Sequence, residues 1–230
     1  MNLEVTDLPA DGLRGDGNSP IHSDVSRMKR FAKILSVVFH PLFIPLYGLL
    51  IIYGSPTLLS FIPAQVKRMI LILVTTNNVL LPMALAAVLW SRGAIKSFHA
   101  RGRNERFLLL TFALMMYCLT AFVLLRMQVP NLIKAYFAAI ACVTLITLII
   151  TAFYRISLHA AGFGGLLVLI GFMIFLYHIS MVWQFVAVFL AGGAVMSSRI
   201  YLEDHSPEEV WAGVLTGAAV MGLSLLLLLK

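Results

Sequence analysis

Charge is what this chain has least of. Of its 230 residues only 12% are Asp, Glu, Lys or Arg, about half the share carried by ordinary soluble domains. Acidic groups are scarcer still, and half of the 10 lie in the N-terminal segment as Glu4, Asp7, Asp11, Asp16 and Asp24. Glu105 stands alone, and the other four are Glu203, Asp204, Glu208 and Glu209. Cysteine is nearly absent. Cys118 and Cys142 each fall midway along an apolar run, so neither a disulfide framework nor a cysteine metal site follows, and both read as small packing residues. The strand alternation of a membrane barrel is missing, as are internal repeats. With a barrel excluded, a membrane-spanning chain must satisfy its backbone in helices.

What the chain does have is long apolar runs. Hydrophobic residues make up 60% of it, and the mean hydropathy is +0.94. The uncharged runs are Ile34–Val66, Met69–Ser91, Phe107–Leu125, Ala135–Tyr154, Ile156–Ser198 and Val210–Leu229. A bilayer-spanning helix needs about 20 apolar residues. Each run holds one span except Ile156–Ser198, which is long enough for two with a turn near Leu176–Gln184, where Tyr177, His178 and Trp183 read as interfacial anchors. The expectation is an all-α polytopic bundle of seven spans, with six as the alternative. Residues 1–26 are rich in Gly, Pro, Asp and Ser and read as a disordered tail, leaving 27–230 as the membrane domain. The acidic start and the late, long apolar run do not fit a cleavable signal peptide, so the first span reads as an uncleaved anchor.

The net charge of +7 does not point to nucleic acid, because the cations sit at span ends. Counting spans puts the tail and the loops near 92–106, 155–159 and 199–209 at one face. That face holds most of the Lys and Arg and reads as cytoplasmic by the positive-inside rule. The same face gathers His159, His205, Ser157 and several fixed cations. Converging Arg and Lys side chains make an anion site suited to phosphate oxygens. A histidine near neutral pKa can attack phosphorus or carry a proton. These are the parts that a phosphoryl-transfer site needs.

The stretch Ser198–Glu209 resembles the third signature of the type 2 phosphatidic acid phosphatase and vanadium haloperoxidase superfamily: Ser-Arg, five residues, His, three residues, Asp. Ser198, Arg199 and His205 match it, and Glu209 stands where the family has Asp. Ser157 and His159 resemble the Ser and His of a second signature, Pro-Ser-Gly-His, with Ile156 and Leu158 at its Pro and Gly. Lys96 and Arg103 have the spacing of the first signature, with Asn104 in place of its Pro and Arg106 in a shifted register. The resemblance covers roughly Ser91 to the C-terminus. It implies an integral membrane phosphatase in a bacterial inner membrane, acting on a lipid phosphate or diphosphate. His205 would be the nucleophile, Glu209 its orienting carboxylate and His159 the proton donor to the leaving oxygen. Lys96, Arg103 (or Arg106), Ser157, Ser198 and Arg199 would hold the phosphate. No metal or cofactor is implied, because cations neutralise the developing charge. The departures from the signatures motivate an alternative, a non-catalytic relative that binds or senses phospholipid.

Each residue also has a plainer reading. Ser206, Pro207 and Glu209 spell a capping box that starts the last helix. Arg199 would snorkel at a span end. Lys96, Arg101, Arg103 and Arg106 would obey the positive-inside rule or touch anionic lipid. His159 would pack among the small residues of "HAAGFGG". His40, just ahead of the kinking prolines Pro41 and Pro45, and the pair Asn77 and Asn78 read as interhelical hydrogen-bonding groups.

Overall fold

A computed structural model describes residues 20–94 and 102–229, with backbone only at 20–25, 58 and 103. The described residues form nine α-helices and no strand. Helices α1 (Pro20–Val38) and α2 (Ile44–Tyr53) share the first span, and α3 (Ala64–Thr75) and α4 (Leu81–Ser91) share the second. The other five spans are single helices: α5 (Arg103–Arg126), α6 (Asn131–Thr151), α7 (Leu158–Tyr177), α8 (Val182–Tyr201) and α9 (Pro207–Leu228). All seven spans are long and apolar enough to cross a membrane, and the chain is an all-α integral membrane bundle. Helix α1 starts at Pro20, so the end of the segment read as a tail is helical. Residues 1–19 lie outside the described residues.

The two interrupted spans break where local chemistry requires it. Pro41 has no N–H and pushes His40 out of the helical region, to φ −60° and ψ 142°. A single 3₁₀ turn follows, with the Leu42 N–H donating to His40 Nδ1 at 3.3 Å. The Tyr47 hydroxyl donates to the Val38 carbonyl at 2.7 Å and satisfies an end of α1. In the second span, a π turn at Thr76–Leu80 precedes Pro82. It turns Asn77 and Asn78 toward α5. There the Thr120 hydroxyl donates to Asn78 Oδ1 at 2.7 Å and accepts from Asn77 Nδ2 at 3.4 Å. Both asparagines thus make the interhelical bonds expected of them. The long run at 156–198 splits into α7 and α8 at His178, which adopts a left-handed φ of 50°.

Two contacts set the functional face. Helix α9 lies backbone against backbone on α7. A Cβ on Gly217 would collide with the Ala161 carbonyl, one on Gly164 with the Val214 carbonyl, and one on Gly213 would come within 2.5 Å of the Ser157 carbonyl oxygen. Small residues at such spacing are how helices approach closely in lipid. Helix α1 packs on α8, where Ser36 Oγ meets Ser198 Oγ at 3.3 Å. The core around them is aromatic and aliphatic, with Tyr136, Phe137 and Phe163 buried. Cys118 and Cys142 are exposed on the bundle exterior and do not pack in this core. Their runs carry enough Leu, Ile and Phe to fill the interior without them.

Candidate functional site

The site begins at the end of α8. The Glu203 N–H donates to the Ile200 carbonyl at 3.0 Å, and the Asp204 N–H to the Arg199 carbonyl at 3.1 Å. This bond pair is a Schellman motif. Its left-handed position, normally glycine, is filled here by Glu203 at φ 56°. The His205 N–H also reaches the Arg199 carbonyl, at 3.3 Å. Arginine and histidine are therefore fixed to each other through backbone before either side chain acts. One residue later Ser206 caps α9, its Oγ accepting from the Glu209 N–H at 3.3 Å.

Only half of the expected capping box forms among the described residues. The Glu209 carboxylate does not return to the Ser206 N–H. It accepts from His205 Nδ1 at 2.6 Å, one helical turn away. The carboxylate only accepts, so Nδ1 carries the proton and the lone pair of the neutral ring sits on Nε2. Burial holds the His205 pKa below its ordinary 6.5. The Glu209 hydrogen bond opposes that shift, while Arg106 and Arg199 add to it. The shift favours the neutral imidazole, with Nδ1 oriented by Glu209 and the lone pair on Nε2.

His159, in the first turn of α7, is brought up by the α7–α9 contact. The Ser157 N–H donates to the Glu209 carbonyl at 3.1 Å, which joins the two helix starts. His159 Nε2 lies 3.1 Å from the Ser36 carbonyl of α1. A carbonyl only accepts, so Nε2 donates and Nδ1 is the ring atom left to exchange a proton. His159 is within electrostatic reach of Arg199, His40 and His205. The His40 ring stands edge-on to it at 5.8 Å.

The cations converge on the same place. Arg199, only 8% exposed, pairs through Nη1 with Asp204 Oδ2 at 3.1 Å. Its Nε is buried and has no partner among the described residues. An orphaned donor on a buried guanidinium is costly unless an anion meets it. Arg106 Nη2 donates to the Ile156 carbonyl at 2.7 Å and lies within reach of Arg155, Glu209 and Arg199. Arg155 Nη2 donates to the Asp204 carbonyl at 3.0 Å. Three guanidiniums thus face two carboxylates, an excess of one positive charge around two histidines.

Of the residues singled out from sequence, the fold assembles His205, His159, Glu209, Arg199 and Arg106. Ser157 is fully buried and caps α7, its Oγ accepting from the Ala160 N–H at 3.4 Å. Ser198 gives its proton to the Val195 carbonyl at 2.7 Å and ties α8 to α1. Both hydroxyls have local work at helix positions. Lys96 and the Arg103 side chain lie outside the described residues. Sequence reasoning gave no site role to Asp204, Arg155 or, on the first span, Ser36. It read as an interhelical hydrogen-bonding group His40, whose Nδ1 accepts locally from the Leu42 N–H while its ring meets His159. A serine and a histidine within five residues just before a proline break were the available signal for the last two. No protein-family model, no curated protein and no solved structure matches the chain, so a functional reading rests on the motifs and on this geometry.

Proposed function

We propose that the chain is a phosphatase that removes phosphate from a lipid phosphate or diphosphate, at the cation-rich face of a bacterial inner membrane. One observation carries the reading: His205, buried and bound to Glu209 at 2.6 Å, sits beside a guanidinium whose Nε has no partner among the described residues. A structural ion pair accounts for neither the neutral nucleophilic ring nor the unfilled donor.

In this reading phosphate oxygens fill the open donors of Arg199 and Arg106. Lys96 and Arg103 join them on motif spacing alone. His205 Nε2 attacks phosphorus as the bond to the ester oxygen breaks. The leaving oxygen takes a proton from Nδ1 of His159 in its doubly protonated form, Nε2 staying bonded to the Ser36 carbonyl, and the hydrolytic water returns that proton at the end of the cycle. The phosphorylated ring carries positive charge, which the Glu209 carboxylate offsets through Nδ1–H. Water then attacks phosphorus, gives a proton to His159 and frees His205 and inorganic phosphate. Fixed donors around the phosphorus carry most of the stabilisation.

The test is phosphate release from phosphatidic acid and from a polyprenyl diphosphate by protein purified in detergent. Release that disappears in His205→Ala and His159→Ala, with both variants folded, is the expected result. Wild-type turnover that survives both substitutions refutes the mechanism. Binding of phosphatidic acid that depends on Arg199 but brings no turnover identifies the non-catalytic alternative instead.

A further inference from the structure

Asp204 belongs to no signature and its carboxylate touches no histidine. Two bonds nevertheless fix it. The Schellman motif holds its N–H on the Arg199 carbonyl at 3.1 Å, and Arg155 holds its own carbonyl at 3.0 Å. With backbone clamped on both sides, its carboxylate meets Arg199 at Nη1. That choice of nitrogen matters. Nη1 lies on the same side of the guanidinium as the arginine's own methylene stem. A carboxylate there leaves the side-on fork of Nε and Nη2 facing away from Asp204. Nε, one prong of this fork, is the buried donor without a partner among the described residues. The planar fork is the edge that takes two oxygens of one phosphate.

We infer that Asp204 is a positioning residue that anchors Arg199 by Nη1 and so presents its Nε–Nη2 edge to the substrate phosphate. The inference rests on the phosphatase reading above. It assigns Asp204 a role on one side only: the carboxylate is not displaced by phosphate and does not compete with it. Arg155 supports the same arrangement by holding the turn from outside. The strained Glu203 at φ 56° is the local cost of placing Asp204 there.

Asp204→Asn leaves the Arg199 charge in place for the transition state and loosens only the pre-set edge that captures phosphate, a loss shared by ground state and transition state that appears in KM and not in kcat. In Asp204→Asn the guanidinium loses its charged anchor. KM for phosphatidic acid in mixed micelles, and the inhibition constant of inorganic phosphate, are expected to rise about tenfold, with kcat within about threefold of wild type. Asp204→Glu keeps the charge and is expected to restore both constants to within about threefold. Arg199→Lys removes the fork. In that background Asp204→Asn is expected to add less than about twofold, because there is no edge left to orient.

Equal effects of Asp204→Asn in the wild-type and Arg199→Lys backgrounds overturn the assignment, since Asp204 then acts without the arginine. A tighter inhibition constant in Asp204→Asn also overturns it, by showing that the carboxylate competes with phosphate. If the Asn variant is unstable, the Glu variant decides: a folded Glu variant whose KM is no better than that of Asp204→Ala refutes the role. Wild-type protein that neither turns over phosphatidic acid nor binds inorganic phosphate refutes the phosphatase reading itself, whereas turnover with additive effects refutes Asp204 alone.

Discussion

Glu209→Gln separates capping from catalysis. The Ser206 cap uses the backbone N–H of residue 209, so the substitution leaves it intact. The bond to His205 Nδ1, 2.6 Å long, survives in shape but loses its charge. A charge-assisted hydrogen bond is roughly twice as strong as a neutral one, and the difference is about 1.5 kcal/mol. At about 1.4 kcal/mol per decade, phosphoryl transfer slows by about tenfold. The loss falls on kcat, because the ring becomes cationic only as it takes up the phosphoryl group. The pH profile gives a second and less expected readout. His205 already titrates below 6.5, and Glu209 is the group that holds it up against burial and two arginines. Removing the carboxylate charge moves it lower still. The acid limb of kcat/KM, which reports protonation of the free nucleophile, therefore shifts to lower pH while the plateau falls. Phosphate release measured across the acid range distinguishes the cases. An acid limb that moves up, or a plateau that does not fall, refutes the dyad. Glu209→Asp is expected to resemble the Gln variant, since one carbon–carbon bond of about 1.5 Å is lost from a contact with little slack.

Three further outcomes follow from the fold. Glu203→Gly relieves a left-handed non-glycine residue that costs about 1–2 kcal/mol. After the extra chain entropy of glycine, a net gain of up to about 1 kcal/mol is expected in detergent unfolding. Gly217→Ala puts a Cβ into the Ala161 carbonyl. The overpacking costs about 1–3 kcal/mol and breaks the Ser157–Glu209 link, so stability and phosphate release fall together. Asn78→Ala removes the acceptor for Thr120 and costs about 1 kcal/mol. With no contact to the site, it leaves phosphate release unchanged. If the Gly217 variant stays active, or the Asn78 variant loses activity, the packing account fails.

The spans were legible because hydropathy acts on each segment separately. So were the break before Pro41, the turn at 178 and the Ser206 cap, since each depends on neighbours in sequence. Span parity was enough to put His159, His205 and the arginines at one end. It could not say which polar groups meet. Ser36 reaches His159 across 123 positions, through a carbonyl that no side-chain pattern advertises. The local bonds of Ser157 and Ser198, which were read from sequence as phosphate ligands, were invisible until the helix ends were placed. Glu209 carried two signals at one position, and only geometry shows that its backbone caps the helix while its carboxylate serves the histidine.

Helix termination and the site are the same construction. The end of α8 must close its last carbonyls, and the Arg199 carbonyl does so by accepting both the Asp204 and the His205 N–H. The start of α9 must satisfy its first donors, and Ser206 does so with the Glu209 N–H. The start of α7 is held against α9 by the Ser157–Glu209 backbone bond. Arginine, both histidines and both carboxylates therefore ride on helix ends whose geometry is set by obligatory backbone bonds, and not on a free loop. Precision at the candidate phosphate site then depends on how closely α7 and α9 approach. This is why the glycines of the α7–α9 contact, which would touch no phosphate, are expected to affect activity.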